Sequence, residues 1–177
     1  MKILIAYTSK NGTTAECVRR LSGFLRGTDT TVADLRKASP DPSAYDLILV
    51  GGSVRFGKLS KELKRFLTEK RAVLLQKRLG LFLCCGLAHE QEYYMEKLFP
   101  KDLRDAAFSM MYFGGSLRCP SASLFDRALL HSMRSNLLES EIEDGEYTPS
   151  LPGILPENIE RMASFARREF SSGKTAE

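Results

Sequence analysis

Five strand-like segments, separated by stretches with helical signals, constrain this fold more than any other feature of the sequence. Residues 2–7, 47–50 and 79–84 are continuous apolar runs, which are typical of short strands buried on both faces. Residues 29–35 and 108–113 are predicted as two further strands. Alternating strands and helices predict a parallel sheet with helices on both faces and right-handed crossovers, so the sequence indicates an α/β fold.

The stretches between the strands carry the start and stop signals of helices. Thr-Thr-Ala-Glu at residues 13–16 looks like a capping box, followed by an apolar stripe at helical spacing. Four more helices are predicted: from about Ser60, over 90–99 with Pro100 ending it, over 123–138, and from Pro156 onward. Residues 139–153 are acidic, end in prolines and a glycine, and are predicted to be an exposed loop.

Length and composition fit an ordinary globular domain. The 177 residues predict one domain over residues 1–171, followed by a polar tail over residues 172–177. No apolar run is long enough to cross a bilayer and the N-terminus lacks a signal-peptide pattern, so a cytoplasmic location is expected. Four cysteines and two histidines without metal-ligand spacing predict reduced thiols and no metal site. The net charge of +4 comes from bases interleaved with acids, which does not indicate nucleic-acid binding.

The loop after the first strand has the residue types of a phosphate site. Ligands of such sheets bind beyond the carboxyl ends of the strands, and a helix N-terminus offers unpaired N–H groups to an anion. Hydroxyls can add donors, and a glycine lets the backbone curl around the anion. The loop consists of Thr8, Ser9, Lys10, Asn11, Gly12 and Thr13. An ordinary capped helix start accounts for these residues equally well.

Residues 3–14, Ile-Leu-Ile-Ala-Tyr-Thr-Ser-Lys-Asn-Gly-Thr-Thr, resemble the N-terminal signature of flavodoxins, although Ala6 is smaller than the residue usual there. The resemblance extends over roughly residues 1–130. It implies a flavodoxin-like three-layer sandwich, a five-stranded sheet of order 2-1-3-4-5 and an FMN cofactor. It also implies that residues 8–13 bind the FMN phosphate without arginine or metal.

The same resemblance assigns flavin-ring contacts to three later loops. The predicted contacts are Gly52, Ser53, Val54, Arg55, Phe56, Gly57, Cys85, Gly86, Leu87, Ala88, Tyr93 and Gly115. Phe56 is expected to cover one face of the ring, with Leu87, Ala88 or Tyr93 on the other. His89 and Cys119 lie beside these loops, but a solvated histidine and a plain packing or surface thiol account for them more simply.

Two loops resemble, more narrowly, those of the flavodoxin-type, menaquinone-dependent protoporphyrinogen oxidases. One is Gly-x-Ser-x-Arg-aromatic-Gly at residues 51–57, and the other is the glycine–arginine–proline pattern at residues 114–120, followed by Phe-Asp-Arg at 125–127. This resemblance implies a porphyrinogen substrate and a quinone-type acceptor. Arg55 and Arg118 are then candidates to bind the substrate's propionates. Surface solvation, or pairing with nearby acids, is the alternative interpretation of both arginines.

Three functions fit these features. The basic chain lacks tryptophan, whereas carrier flavodoxins are acidic and usually stack the flavin on a tryptophan, so an FMN-dependent oxidoreductase is favoured. A flavodoxin-type low-potential electron carrier with a redox partner is the alternative, and a non-catalytic flavodoxin-fold domain is the second alternative. A run of basic residues is compatible with peripheral contact to an anionic membrane or with a solvated helix: Lys58, Lys61, Lys64, Arg65, Lys70, Arg71, Lys77 and Arg78.

Overall fold

A single parallel sheet organises the part of the chain that the computed structural model describes, residues 2–85, 91–115 and 153–172. The sheet has the order β2-β1-β3-β4-β5, with parallel pairing at every ladder. Its strands are β1 (Lys2–Thr8), β2 (Asp29–Asp34), β3 (Leu47–Ser53), β4 (Arg78–Cys84) and β5 (Ala107–Tyr112). The predicted fold class and strand order are therefore confirmed.

Six α-helices and one 3₁₀ turn are described between and after these strands. They are α1 (Thr13–Phe24), the 3₁₀ turn (Pro42–Ala44), α2 (Lys61–Glu69), α3 (Arg71–Leu74), α4 (Gln91–Leu98), α5 (Lys101–Ala106) and α6 (Pro156–Ser172). The single helix predicted from Ser60 is wrong, because the chain breaks at Lys70 and continues as the short α3. Pro100 ends α4 as predicted but also precedes α5, which the sequence did not predict. The helix predicted over 123–138 and all of the loop predicted over 139–153 except Gly153 lie outside the described residues.

Two apolar clusters cover the two faces of the sheet. Because side chains alternate along a strand, Ile3 and Ile5 pack on one face and Leu4 on the other. The first cluster adds residues of α1 and α6, and the second adds residues of α2, α3, α4 and α5. The sheet is therefore the middle layer of three, and its carboxyl edge is left to the loops.

The capping box predicted at residues 13–16 is wrong. Helix α1 begins after Gly12, whose φ is 87°, so Thr13 is the first helical residue rather than the cap. No side chain of the described residues caps it from the N-cap position; instead the Ser9 hydroxyl accepts a hydrogen bond from the Ala15 N–H at 3.2 Å. Glu16 forms ion pairs with Arg19 and Arg20, both at 2.8 Å, instead of accepting a hydrogen bond from the backbone at the start of the helix.

We expect the Glu16→Gln variant to lose a small, pH-dependent part of its stability. Hydrogen bonds from Arg19 and then Arg20 lower the pKa of Glu16 from 4.5 to about 2. Because the folded-state pKa is the lower one, the stabilisation is present above about pH 4.5 and disappears as the pH falls toward about 2. Urea unfolding should show a difference of at most about 1 kcal/mol at pH 7, since the pair is partly exposed. A difference that grows on acidification would contradict this assignment.

The predicted basic run divides between separate parts of the fold. Lys77 donates to the Ser43 carbonyl at 2.9 Å, Arg71 pairs with Asp102 at 2.6 Å, and Arg78 lies in β4 rather than in a helix. Only part of the run is therefore one helix face, and contact with a membrane surface stays a prediction. Within the described residues, no helix combines the length and apolarity needed to cross a bilayer.

Candidate functional site

The loop after β1 forms a small polar cup at the start of α1. Thr8 and Ser9 are both buried, 2% and 8% exposed. The Thr8 hydroxyl has no hydrogen-bond partner among the described residues. Gly12 has a left-handed backbone, and nothing lies within 4 Å of where its Cβ would stand. The cup thus combines the N–H groups of a helix start, an unused hydroxyl and a glycine that leaves its outer side open.

A cleft of about 350 Å³ lies beside this cup, between the loops that follow β1, β2 and β3. Four of its residues are basic and one is acidic. The lining consists of Thr8, Ser9, Lys10, Arg36, Ser53, Arg55, Lys58, Leu59, Ser60 and Glu62. Hydroxyls and cations dominate this surface, and such a donor set suits an anion bearing several oxygens.

A tight turn at residues 55–58 stands at the rim of the cleft. Arg55 and Lys58 exchange two backbone hydrogen bonds, each of 3.0 Å. Phe56 and Gly57 both have positive φ, 49° and 68°, as in the I′ class of two-residue turns. A phenylalanine in the left-handed region is strained, and this one is also 51% exposed. The turn therefore presents an aromatic face to the surroundings, with the Arg55 guanidinium 5.6 Å from the ring centroid.

The two glycines before this turn have a packing role. Gly51 and Gly52 lie within β3, and both are buried. A Cβ on Gly51 would stand 2.0 Å from the Phe82 carbonyl oxygen, and one on Gly52 would stand 2.5 Å from the Thr8 hydroxyl. Gly52 thus leaves space for the buried Thr8 hydroxyl. Both positions require glycine because of close contacts within the protein.

Backbone and tyrosine hydrogen bonds fix the start of the loop after β4. The Cys85 N–H donates to the Gly114 carbonyl at 3.0 Å, and the Tyr112 hydroxyl donates to the Cys85 carbonyl. Burial and then the neighbouring Cys85 and Cys84 raise the pKa of Tyr112, so its hydroxyl remains a donor. Gly115 follows directly and donates to the Gly153 carbonyl at 3.2 Å.

Tyr93 and Tyr94, on α4, form an aromatic pair near the turn. Their ring centroids are 5.5 Å apart, and Tyr93 is 54% exposed with the Lys97 ammonium 4.7 Å from its ring. Tyr94 approaches the turn itself, 3.7 Å from the position of a Cβ on Gly57. Tyr94 was not predicted as a site residue, although its helical neighbour Tyr93 was.

These residues fit the phosphate of FMN. The helix start provides N–H donors, the buried Thr8 hydroxyl has no partner among the described residues, and the adjoining cations favour a dianion. Thr8, Ser9 and Lys10, of the predicted phosphate set, line the cleft, whereas Asn11, Gly12 and Thr13 lie at the helix start. Ser53 and Arg55, of the predicted ring contacts, also line it, and Val54 and Phe56 are their direct neighbours.

Comparison with known families agrees with this fold. The sequence pattern of the flavodoxin domain matches residues 4–140, more than half of the chain. The chain belongs to the flavodoxin-domain family. Curated protein sequences give no match to this domain.

Solved structures resemble this flavodoxin domain at low sequence identity. Flavodoxin 1 of Bacillus cereus has a TM-score of 0.51 at 17% identity, covering 78% of this chain and 98% of that one. The FMN-bound flavodoxin of Fusobacterium nucleatum has a TM-score of 0.51 at 11% identity, covering 95% and 98%. Rubredoxin oxygen:oxidoreductase of Desulfovibrio gigas has a TM-score of 0.51 at 15% identity, and the match covers 92% of this chain but only 36% of that protein. At such low sequence identities, these matches show similarity of fold alone.

Two buried thiols lie in the interior of this flavodoxin domain, beneath the cup. Cys17 on α1 and Cys84 at the end of β4 are 0% and 3% exposed and share one apolar cluster. A hydrogen bond with Cys17, and then burial, raise the pKa of Cys84 well above its usual value. Cys84 is therefore a protonated residue packed in the core. The reduced state of the thiols stays a prediction.

Several predicted residues lie outside the described part of the flavodoxin domain. For the ring these are Gly86, Leu87 and Ala88, with His89 beside them. For the substrate it is Arg118, with Cys119 next to it. Their roles stay predictions.

Arg36 is a cleft residue that the sequence did not reveal. It follows β2, a strand that carried no predicted site residue, and only the fold brings that strand beside β1.

Proposed function

We propose that this chain binds FMN at the carboxyl edge of the sheet and transfers electrons through it. The single observation that carries the proposal is the cup of residues 8–13, with its unpartnered Thr8 hydroxyl, opening beside a cationic cleft. The family match and the FMN-bound flavodoxin of the same fold support it. Bound FMN would supply the electron-accepting and electron-donating chemistry that side chains lack.

The protein's own residues would hold and orient this group. The donors of the cup and the N-terminus of α1 would bind the phosphate, and Lys10 would add a charge. Phe56 would cover one face of the ring, and the turn at residues 55–58 fixes where that side chain stands. Tyr112 would hold the Cys85 carbonyl, and with it the start of the loop after β4, in one position.

A flavin titration tests the proposal. Purified protein should quench the fluorescence of added FMN and shift its visible absorption, and riboflavin, which lacks the phosphate, should bind much more weakly. Circular dichroism of the same sample establishes that the protein is folded. A folded protein that leaves the absorption and fluorescence of FMN unchanged would overturn the proposal and favour the non-catalytic alternative.

Phe56→Gly should weaken ring binding without unfolding the protein. Loss of left-handed strain offsets the extra entropy of glycine in the unfolded chain, so the free energy of unfolding should stay within about 1 kcal/mol of wild type. Affinity for FMN and for riboflavin should fall together by about tenfold, because the aromatic contact is made to the ring and not to the phosphate. Fluorescence titrations measure both values. Unchanged riboflavin affinity would show that Phe56 does not contact the ring.

An oxidoreductase acting on an anionic substrate is the second candidate. The excess of cations in the cleft favours it, since Arg55 and Lys58 stand at the rim where a substrate's carboxylates would approach. A porphyrinogen with a quinone-type acceptor is the specific form that the sequence resemblance suggests, whereas a carrier would exchange electrons with a protein partner.

Anaerobic mixing of FMN-loaded protein with protoporphyrinogen separates these candidates. An oxidoreductase should bleach its flavin faster than free FMN is bleached, and Arg55→Ala should slow this step. Arg26→Ala is the matched control, because this exposed arginine follows α1 at the opposite end of the helix from the cup. Bleaching no faster than that of free FMN would favour the electron carrier.

A further inference from the structure

Arg36 connects the strand β2 to the phosphate cup across the edge of the sheet. Its Nη1 donates to the Ser9 carbonyl at 2.5 Å, a contact between residues 27 positions apart. A short turn fixes its backbone, with the Arg36 N–H bound to the Asp34 carboxylate at 3.0 Å. The preceding Leu35 is buried, and its N–H donates to the Tyr7 carbonyl at 2.8 Å. The arginine is thus presented from a fixed position.

This contact leaves most of the guanidinium for another partner. A guanidinium carries five N–H donors in a planar fork, and the bond to Ser9 uses one of them. Arg36 lines the same cleft as Thr8, Ser9 and Lys10. Planar N–H pairs match phosphate oxygens well, and a charged donor strengthens each hydrogen bond.

The charged residues that line the cleft also favour the binding of a phosphate. Among the described residues that line the cleft, Lys10, Arg36, Arg55 and Lys58 are basic, and Glu62 is acidic. The pKa of Glu62 is lowered by its own backbone N–H, then by Ser60, and further by the charges of Arg36 and Arg65. The charge of Arg36 is therefore felt at Glu62, another residue that lines the cleft.

We propose that Arg36 is a phosphate-binding residue of the cofactor site, holding the Ser9 carbonyl with one N–H and the phosphate with others. This inference rests on the proposed FMN binding and extends it, because the resemblance to flavodoxins implied a phosphate site without arginine. Arg36 would then select the phosphorylated flavin over riboflavin. It would also make cofactor binding sensitive to salt.

Three variants test this inference by flavin affinity rather than by activity. Arg36→Gln removes the charge but keeps an N–H₂ donor for the Ser9 carbonyl. Arg36→Lys keeps the charge but lacks the planar fork. Lys37→Gln removes the same charge from the next, exposed residue, which does not line the cleft. Affinities for FMN and riboflavin are measured by fluorescence quenching at low and high sodium chloride.

We expect Arg36→Gln to weaken FMN binding by at least about tenfold, the usual effect of losing hydrogen bonds to a charged group. Riboflavin affinity should change by less than about twofold, since only the phosphate contact is lost. The salt dependence of FMN binding should become shallower, Arg36→Lys should be intermediate, and Lys37→Gln should resemble wild type. Equal weakening of FMN and riboflavin would show that Arg36 only maintains the loop, and unchanged FMN affinity would equally overturn the inference.

Inorganic phosphate provides a readout that does not depend on the flavin ring. Phosphate should raise the melting temperature of the wild-type protein more than sodium chloride at equal ionic strength, and Arg36→Gln should lose this difference. If wild-type protein fails to bind FMN but shows the phosphate effect through Arg36, the proposed function fails and the anion site stands. If wild-type protein binds FMN while Arg36→Gln binds it equally well, only the present inference fails.

Discussion

Replacing Gly51 by alanine should destabilise the protein by about 3 kcal/mol, the upper end of the usual cost of overpacking a core. The added Cβ would stand 2.0 Å from the Phe82 carbonyl oxygen and 2.6 Å from its ring. A ring can rotate away, but a backbone oxygen of the neighbouring strand moves only if the β3–β4 ladder moves with it. The Phe82 ring is also held, because it stacks on Phe113 at a centroid distance of 4.8 Å.

Gly23→Ala is the matched control for this variant. Gly23 lies in the last turn of α1, and nothing stands within 4 Å of its Cβ position. The same added methyl group should there stabilise the protein by about 0.5–1 kcal/mol, through the higher helix propensity of alanine. Urea unfolding of both variants measures the two effects. A loss below about 1 kcal/mol for Gly51→Ala would mean that the ladder yields easily.

Thr13→Asp should abolish most FMN binding while leaving the fold slightly more stable. Thr13 is the first residue of α1, where a carboxylate favours the helix by about 0.3–1 kcal/mol. The same carboxylate at about 5 Å from a phosphate dianion costs about 1.7 kcal/mol even at the dielectric of bulk water. FMN affinity should therefore fall by about 15-fold at low salt, and by more at the lower dielectric of a protein surface.

Two comparisons isolate the electrostatic cause of this loss. Riboflavin affinity should be almost unchanged in Thr13→Asp, because riboflavin carries no phosphate. Gln76→Glu adds one negative charge at an exposed site before β4, at the amino end of the sheet, and should leave FMN affinity close to wild type. Thermal unfolding measures the expected gain in stability, and fluorescence titration separately measures the expected loss of FMN affinity. Stability and FMN affinity falling together would show a damaged helix start rather than repulsion.

The sheet could be predicted from the sequence because its central strands are apolar runs too short to form helices. The strand at residues 2–7 and the run at 79–84 have no polar interruption after their first residues, so burial on both faces was the natural interpretation. The helix start at Thr13 was harder, since Thr-x-x-Glu has the pattern of a capping box. The N-cap residue is the left-handed Gly12, one position before Thr13. The Glu16 carboxylate forms ion pairs with two arginines of α1 and does not bond the backbone of the N-cap residue.

The site was predictable only where it is local in sequence. The cup of residues 8–13 is a single loop, so its chemistry was visible in its composition. Arg36 and Tyr94 come from separate elements, and only the parallel pairing of β2 with β1 and the packing of α4 on the turn bring them to it. The strained backbone of Phe56 is likewise a property of the folded turn, and it could not be predicted from the residue types of this segment.

The hydrogen bonds around Gly114 have a consequence for how this protein can vary. The Gly115 N–H donates to the Gly153 carbonyl at 3.2 Å, and the Leu155 N–H donates to the Phe113 carbonyl at 3.0 Å. Residues 113–115 and 153–155 are thus held side by side beyond the carboxyl end of β5, with Gly114 and Ile154 forming a bridge between them. Because the described part of the chain fixes these two points close together, a change in the number of residues between them should cost little chain entropy.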